Sequence, residues 1–366
     1  MRDLGTAAFL ACAWFWCIGG FFPVLLYLEF GAVSFWVFLV FNVLGATLFG
    51  FAWREEARQA FLQRFHGWAR GFSALVAGYH VVFAIWLSLM LEDPRPLAGF
   101  VLMTALCLVL RGRLITLSGG VLALSAALFV FIGLDPVLPP VPEPVATAPL
   151  RPFVHQIAPL ALGFLLAPYF DLTFHRAFAR AASPKRAFLI GFMLLFTALL
   201  CGVYLGMDAF VGLLSAGGLS HPAVAAVALL VMVQTGFTTA AHLVELDMVT
   251  WRLSHRQILG LGAVAAIAAL HLGALAISPE ALRLIGELIY RGFVFVIGAL
   301  FPVLLILGPT RQAALAASVL APCYTLGFLI GGAFAPWLSV AMLAFAAFYA
   351  RRPAPSRSTP LAKEIP

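Results

Sequence analysis

Residues 160–177 run Leu160-Ala161-Leu162-Gly163-Phe164-Leu165-Leu166-Ala167-Pro168-Tyr169-Phe170-Asp171-Leu172-Thr173-Phe174-His175-Arg176-Ala177. An apolar run of membrane-helix character meets a proline, which has no amide proton and cannot continue the helical hydrogen-bond ladder. Three residues later stands an aspartate, a group that is costly in lipid and marks a functional candidate. A second interrupted run lies near the start of the chain, in Cys17-Ile18-Gly19-Gly20-Phe21-Phe22-Pro23. There, two adjacent glycines and a proline lower helix stability in mid-membrane.

Everything around these stretches is apolar. The 366 residues include 22 basic and 15 acidic side chains against 63% hydrophobic residues, a balance that no water-soluble globule of this length can present to solvent. The apolar runs predict an all-α membrane protein of about twelve spans, near 6–28, 31–52, 71–91, 97–110, 114–134, 152–171, 187–211, 222–247, 258–278, 287–308, 313–334 and 336–350. At roughly 20 residues a span, they leave no room for a soluble catalytic domain, and no catalytic residue is assigned. Arg2 followed by an apolar run resembles a signal peptide, but the bulky Trp14, Phe15 and Trp16 argue that the segment is kept as the first span.

Charge tests that count. Eighteen Lys and Arg residues fall on one side of the predicted layout and four, Arg95, Arg151, Arg283 and Arg291, on the other. This asymmetry predicts a multi-pass protein of the inner or plasma membrane with both termini cytoplasmic. The net charge of +7 is spread thinly over many loops, so it signals topology rather than a nucleic-acid partner. The partners expected are the lipid bilayer and a small-molecule solute. Five cysteines, Cys12, Cys17, Cys107, Cys201 and Cys323, lie in apolar runs without a CxxC pair and are expected to be packing residues.

Two loops stand apart. In 53–68, Phe61, Phe65 and Trp68 alternate at helical spacing with Glu56, Arg58 and Arg64, which predicts an amphipathic helix on the cytoplasmic face. Between Asp135 and Pro152, seven prolines favour a stiff extended link. The predicted organisation is a first five-helix repeat (1–134), a Pro-rich external linker (135–151), four helices of a second repeat (152–286), a tenth helix (287–308), two extra helices (309–350) and a tail (351–366). The first and sixth spans then run in opposite directions, which is the layout of inverted-repeat transporters, whose broken helices hold the solute at mid-membrane.

From Leu160 through Gly163 and Pro168 to Arg176, ending in Ala182-Ser183, the chain resembles the sodium/solute symporters of the amino acid, polyamine and organocation superfamily, which have the LeuT-type fold. The resemblance covers about 25 residues in motif and spans 1–10 in organisation. Ala167 and His175 stand where many members carry glutamine, which counts against a sugar- or proline-type substrate. The resemblance implies a 5+5 inverted repeat plus two C-terminal helices, and alternating access in which spans 1, 2, 6 and 7 rock against spans 3, 4, 8 and 9. It places candidate substrate-binding groups at Gly19, Gly20, Phe21, Pro168 and Tyr169. It also implies a sodium ion, the one candidate cofactor, between carbonyls of the first helix and the hydroxyls of Thr238 and Thr239 in Thr235-Gly236-Phe237-Thr238-Thr239.

Asp171, three residues after Pro168, is the first candidate for coupling or gating. His242 is the second, because histidine titrates near neutral pH and Glu245 lies one turn away on the same face. A salt-bridge cluster of His242, Glu245 and Asp247 with Arg252 or Arg256 is the plainer expectation for that end, and Glu287 is spaced to pair with Arg291. His80 and His271, alone in apolar runs, are expected to be satisfied locally. Two other classes remain: a membrane redox protein binding haem or metal through its histidines, and a non-transporting sensor or scaffold with a degenerate transporter fold.

Overall fold

A computed structural model describes residues 2–15, 17–134, 150–214, 218–246 and 279–308, with residues 310, 311, 313 and 315. The Pro-rich linker up to residue 149, the ninth span, nearly all of the eleventh and twelfth, the tail, His271 and Cys323 lie outside the described residues. The helices are α1 (Arg2–Phe15), α2 (Cys17–Gly20), α3 (Phe22–Phe30), α4 (Ala32–Ala52), α5 (Glu55–Met90), α6 (Arg95–Val109), α7 (Leu114–Gly133), α8 (Leu150–Leu166) and α9 (Leu172–Arg180). They continue as α10 (Pro184–Phe188), α11 (Thr197–Leu205), α12 (Met207–Gly212), α13 (Pro222–Glu245), α14 (Pro279–Phe295) and α15 (Phe301–Leu307).

Six helical segments among the described residues are long and apolar enough to cross a membrane, and α1 with the α2–α3 pair makes a seventh if counted as one bent span. Arg95–Val109 and Leu160–Phe170 are shorter apolar helices, at the positions of the fourth and sixth expected spans. On α4, Val33, Trp36, Val40, Leu44, Leu48 and Phe51 are all exposed, recurring every three or four residues as one stripe. In water such a stripe would be an aggregation site; in lipid it is the expected outer face.

The expected separate amphipathic helix does not occur. Residues 55–90 form one continuous helix of 36 residues, about 54 Å at 1.5 Å per residue, well beyond the ~30 Å hydrocarbon thickness. No proline interrupts it, and Phe65, Ala69, Phe72 and Val76 keep one buried face running through the junction.

At the centre stands α13, against which α5, α6, α7 and α1 all pack. Its buried residues include Val227, Leu230, Phe237 and Ala240 on one hand and the polar Gln234, Thr235, Thr238, Thr239 and His242 on the other, so it is enclosed around most of its length, with Leu229 the large side chain left exposed. Elsewhere α4 lies against α8, α10 and the following π-helical segment, Leu189–Phe196, which also carries α1. The α4–α8 approach depends on Gly45, where a Cβ would sit 2.0 Å from the Phe164 carbonyl oxygen. Gly31, at φ 79°, makes the turn from α3 to α4 in a left-handed conformation that side chains disfavour.

Arginine-bearing loops gather at one end of the bundle. Arg2 Nε donates to the Arg180 carbonyl (2.6 Å), and Asp3 Oδ1 accepts from the amides of Ala182 (2.8 Å) and Ser183 (3.0 Å). Arg58 reaches the His175 carbonyl (3.3 Å) and Arg70 the Leu246 carbonyl (2.7 Å). The other end has its own links, from the Tyr290 hydroxyl to Glu29 (2.5 Å), Arg291 to Glu29 (3.2 Å) and Trp86 Nε1 to the Leu282 carbonyl (2.8 Å). Arg291 thus ties α14 to α3, a long-range partner that i, i+4 spacing does not reveal; the Glu287 side chain lies outside the described residues.

Candidate functional site

Both expected interruptions are present. The two halves of the first helix, Arg2–Phe15 and Cys17–Phe30, are inclined at 72°, and the chain breaks again at Phe21, with Pro23 in the first turn of α3. Gly19 and Gly20 are where the Phe15 ring crosses; a Cβ on either would lie 3.3 Å from it. In the sixth helix, α8 stops at Leu166, Ala167–Phe170 form a 3-10 turn, and Asp171 adopts an extended conformation before α9. The two interrupted helices lie side by side, half against half. Trp14 on α1 packs on Phe174 of α9 (ring centroids 4.9 Å apart), while Phe22 and Phe30 on α3 pack on Phe164 (6.5 Å) and Phe153 (5.3 Å) of α8.

The break in the sixth helix carries buried polar groups. Asp171 is fully buried and uses Oδ1 as a helix cap, accepting from the Thr173 amide and hydroxyl, both at 2.7 Å. Only this one oxygen serves as the cap: Oδ2 makes no hydrogen bond and faces His242 Nε2, likewise without one, at 3.9 Å. His242 is fully buried too, and its Nδ1 lies 3.1 Å from Ser73 Oγ on α5. One turn earlier on α13, Thr239 Oγ1 donates to the Thr235 carbonyl (2.8 Å) and meets His80 Nδ1 at 2.8 Å, so the Nδ1 of His80 is held by a hydroxyl from another helix. Two histidine–hydroxyl contacts thus join α5 to α13, and one of them continues to the break.

Thr238 Oγ1 lies 3.0 Å from both the Cys12 and Gln234 carbonyl oxygens. The expected hydroxyl does face a first-helix carbonyl, but on the α1 side of the bend. Thr239 is committed to His80 and not to the first helix. Nearby, Gln234 Nε2 donates to Ser125 Oγ of α7 (2.7 Å), a buried amide that the hydropathy of span 8 concealed. Cys12, Cys17 and Cys107 are buried free thiols and Cys201 is a half-buried one, in keeping with packing roles. Among the described residues no three His, Cys, Asp or Glu side chains converge as a metal-binding group.

The five expected substrate groups fall in different surroundings among the described residues. Phe21 lines a narrow cavity with Cys17, Phe22, Tyr79, Phe83, Trp86 and Tyr290, among others, whose water-accessible space of about 10 Å³ has room for about one water. Tyr79, Phe83 and Trp86 recur at i, i+4 and i+7, a spacing that could have marked them as one face of α5. Gly19, Gly20 and Pro168 are buried in packing. Tyr169 belongs to an aromatic cluster at the arginine-bearing end, against Phe49 (5.7 Å) and Trp53 (5.5 Å).

Beyond the break, His175 Nε2 contacts the Tyr169 carbonyl at 2.9 Å, and burial pushes this imidazole down to about 4. Glu55, held by Arg58 and then by Gln59, is lowered to about 2. The second turn of α9 reaches α13 through Arg176 and Glu245, 2.8 Å apart. The expected partners of Glu245, Arg252 and Arg256, lie outside the described residues, as does Asp247.

Among the described residues, six or seven apolar helices long enough to cross a membrane and the exposed apolar stripe of α4 make this a multi-pass helical membrane protein. No family model, curated protein or solved structure matches the chain.

Proposed function

We propose that the protein is a secondary transporter of a small organic solute that works by alternating access, with both chain termini on the cytoplasmic side of the inner or plasma membrane. The observation that carries this reading is the pairing of two interrupted helices, half against half. Continuous helices would satisfy their own backbone, and interruptions at membrane depth are tolerated where they line a site or are enclosed by protein.

The packing supports a division into moving parts. The first, second, sixth and seventh spans pack on one another through α1, α4, α8 and the Leu189–Phe196 segment; the third, fourth and eighth pack together through α5, α6 and α13. In a 5+5 inverted repeat of the LeuT type, these are the groups that rock against each other. The narrow aromatic cavity then belongs to a closed state, with Glu29, Tyr290 and Arg291 closing the end away from the arginine-rich loops. Two coupling sites fit the geometry, a sodium ion between the Cys12 carbonyl and Thr238, and protons at Asp171 and His242.

Counterflow in reconstituted liposomes, screened over amino acids, organic acids, amines and sugars under sodium and pH gradients, tests the proposal. Saturable uptake of at least one solute is expected. Folded protein that moves none of them would overturn the transport reading in favour of a sensor or scaffold, which the tightness of the interior also suits. Melting temperature in sodium against choline, for the native chain and Thr238→Ala/Thr239→Ala, separates the coupling sites, because selective binding to the folded state raises stability.

A further inference from the structure

Asp171 and His242 come from different helices and meet in a fully enclosed place. Each keeps one polar atom without a hydrogen bond, and those two atoms face each other at 3.9 Å. The rest of each side chain is anchored: Oδ1 by Thr173 on one side, Nδ1 by Ser73 on the other. Around them are rings, Phe72 beside His242 (6.2 Å) and Phe301 against both Phe72 (5.3 Å) and Phe170 (4.8 Å). A bare carboxylate oxygen in such surroundings is costly, and so is an imidazole nitrogen that has lost water and gained no partner. One proton held between the two atoms removes both costs.

The other charged and titratable groups on the packed elements either have their own contacts or, like Glu56, Arg64 and His66 on α5, are exposed. On α9, Arg176 pairs with Glu245 of α13, and His175 holds the Tyr169 carbonyl. On α5, Arg58 binds Glu55 and the His175 carbonyl, Arg70 the Leu246 carbonyl, and His80 lies on Thr239. On α1, Arg2 and Asp3 bind the 180–183 segment. Arg111 and Arg113, in the turn before α7, are exposed. No other hydrogen-bond contact among those described satisfies Oδ2 or Nε2.

We propose that Asp171 and His242 together form a binding site for one exchangeable proton, which is taken up when the broken sixth helix and α13 are apart and shared between Oδ2 and Nε2 when they close. The site stands on the geometry; that its proton drives solute movement rests on the transport reading. In the step, a proton from water on one side forms a bond to Nε2 or Oδ2 and the net charge of the pair goes from −1 to 0. The same bond breaks when the proton leaves on the other side, and no electrons are transferred. Closing the 3.9 Å gap by roughly 1 Å makes a charge-assisted hydrogen bond. Proton occupancy therefore favours the closed arrangement of α9 on α13, the differential binding that a conformational coupling requires.

Infrared difference spectroscopy of the purified protein in lipid, titrated from about pH 4 to about pH 9, reads the site directly, with the proton as the probe. The chain carries 15 acidic side chains and 8 histidines, so native and variant spectra are compared, and one carboxyl or imidazolium titration belonging to the pair is expected in the difference. It should vanish in Asp171→Asn, and in His242→Gln it should vanish or move by about one pH unit or more. The proposal is overturned by a native protein with no such titration, by one that persists in Asp171→Asn, or by one unmoved in His242→Gln. Should Asp171→Asn fail to fold, the native chain and His242→Gln decide between the same outcomes. Solute flux without this titration sinks the proton site alone; titration without flux keeps the site and sinks the transport reading.

Discussion

Arg176 and Glu245 form a 2.8 Å ion pair that fastens the second turn of α9 to the last turn of α13. Both side chains are largely buried, at 19% and 16% exposure, so removing either leaves a charge with little water around it. Arg176→Ala and Glu245→Ala should each cost about 1–3 kcal/mol, and the double variant less than their sum. Melting curves of the four proteins in one detergent give the coupling energy; additive losses would mean that the pair holds nothing together.

Gly45→Ala should be among the most damaging single-methyl additions in the chain. The new Cβ would meet the Phe164 carbonyl at 2.0 Å, forcing α4 and α8 apart, and overpacking of this kind costs about 1–3 kcal/mol or more. Gly119→Ala, on α7 with nothing within 4 Å, is the control, expected to be neutral or stabilising by up to about 1 kcal/mol. Thermal unfolding of the two variants side by side checks the contrast.

Tyr290→Phe removes the hydroxyl that donates to Glu29 and keeps the ring packed on Phe22 at 5.8 Å. A loss of about 1 kcal/mol is expected, with Arg291 still beside Glu29. Glu29→Gln weakens both links and should loosen the junction of α3 and α14 more. Hydrogen exchange of the backbone near residues 286–291 should rise in that order; equal protection in all three proteins would rule out the closure.

Acid should destabilise the protein partly through His175. Its folded-state value, near 4, lies below the ordinary 6.5, so between these values the unfolded chain binds the extra proton and the folded one does not. Stability from this group is complete above about pH 6.5, falls as pH drops toward about 4, and levels off below, by at most about 1.4 kcal/mol per pH unit. His175→Gln should flatten the melting-temperature profile in that window. Glu55 acts later, losing its contribution as pH falls below the ordinary carboxylate value toward about 2.

The interrupted helices were legible in residues 17–23 and 160–177 because helix breakers act locally: Pro168 lacks its amide proton wherever the chain goes. The continuity of α5 was not legible, because Glu55–Trp68 has an amphipathic pattern that also suits a helix lying on the membrane, and only the packing of Phe61 and Phe65 on Phe170 in the break and of Arg58 on the His175 carbonyl beyond it holds it in line with the rest of the helix. Asp171 and His242 could each be singled out as ionisable groups in apolar runs, yet their separation of 71 positions hides that they face one another.

What the sequence by itself determined was the solvent, the helical class and the places where helices must break, since these follow from composition, hydropathy and backbone chemistry within a few residues. Only the tertiary structure decided which polar groups meet: Asp171 with His242, Arg176 with Glu245, Glu29 with Tyr290 and Arg291, and Thr238 with the Cys12 carbonyl. The physical reason is that a buried polar group takes whichever complementary atom helix packing brings within about 3–4 Å, and that neighbour is set by how helices cross in space rather than by their order along the chain.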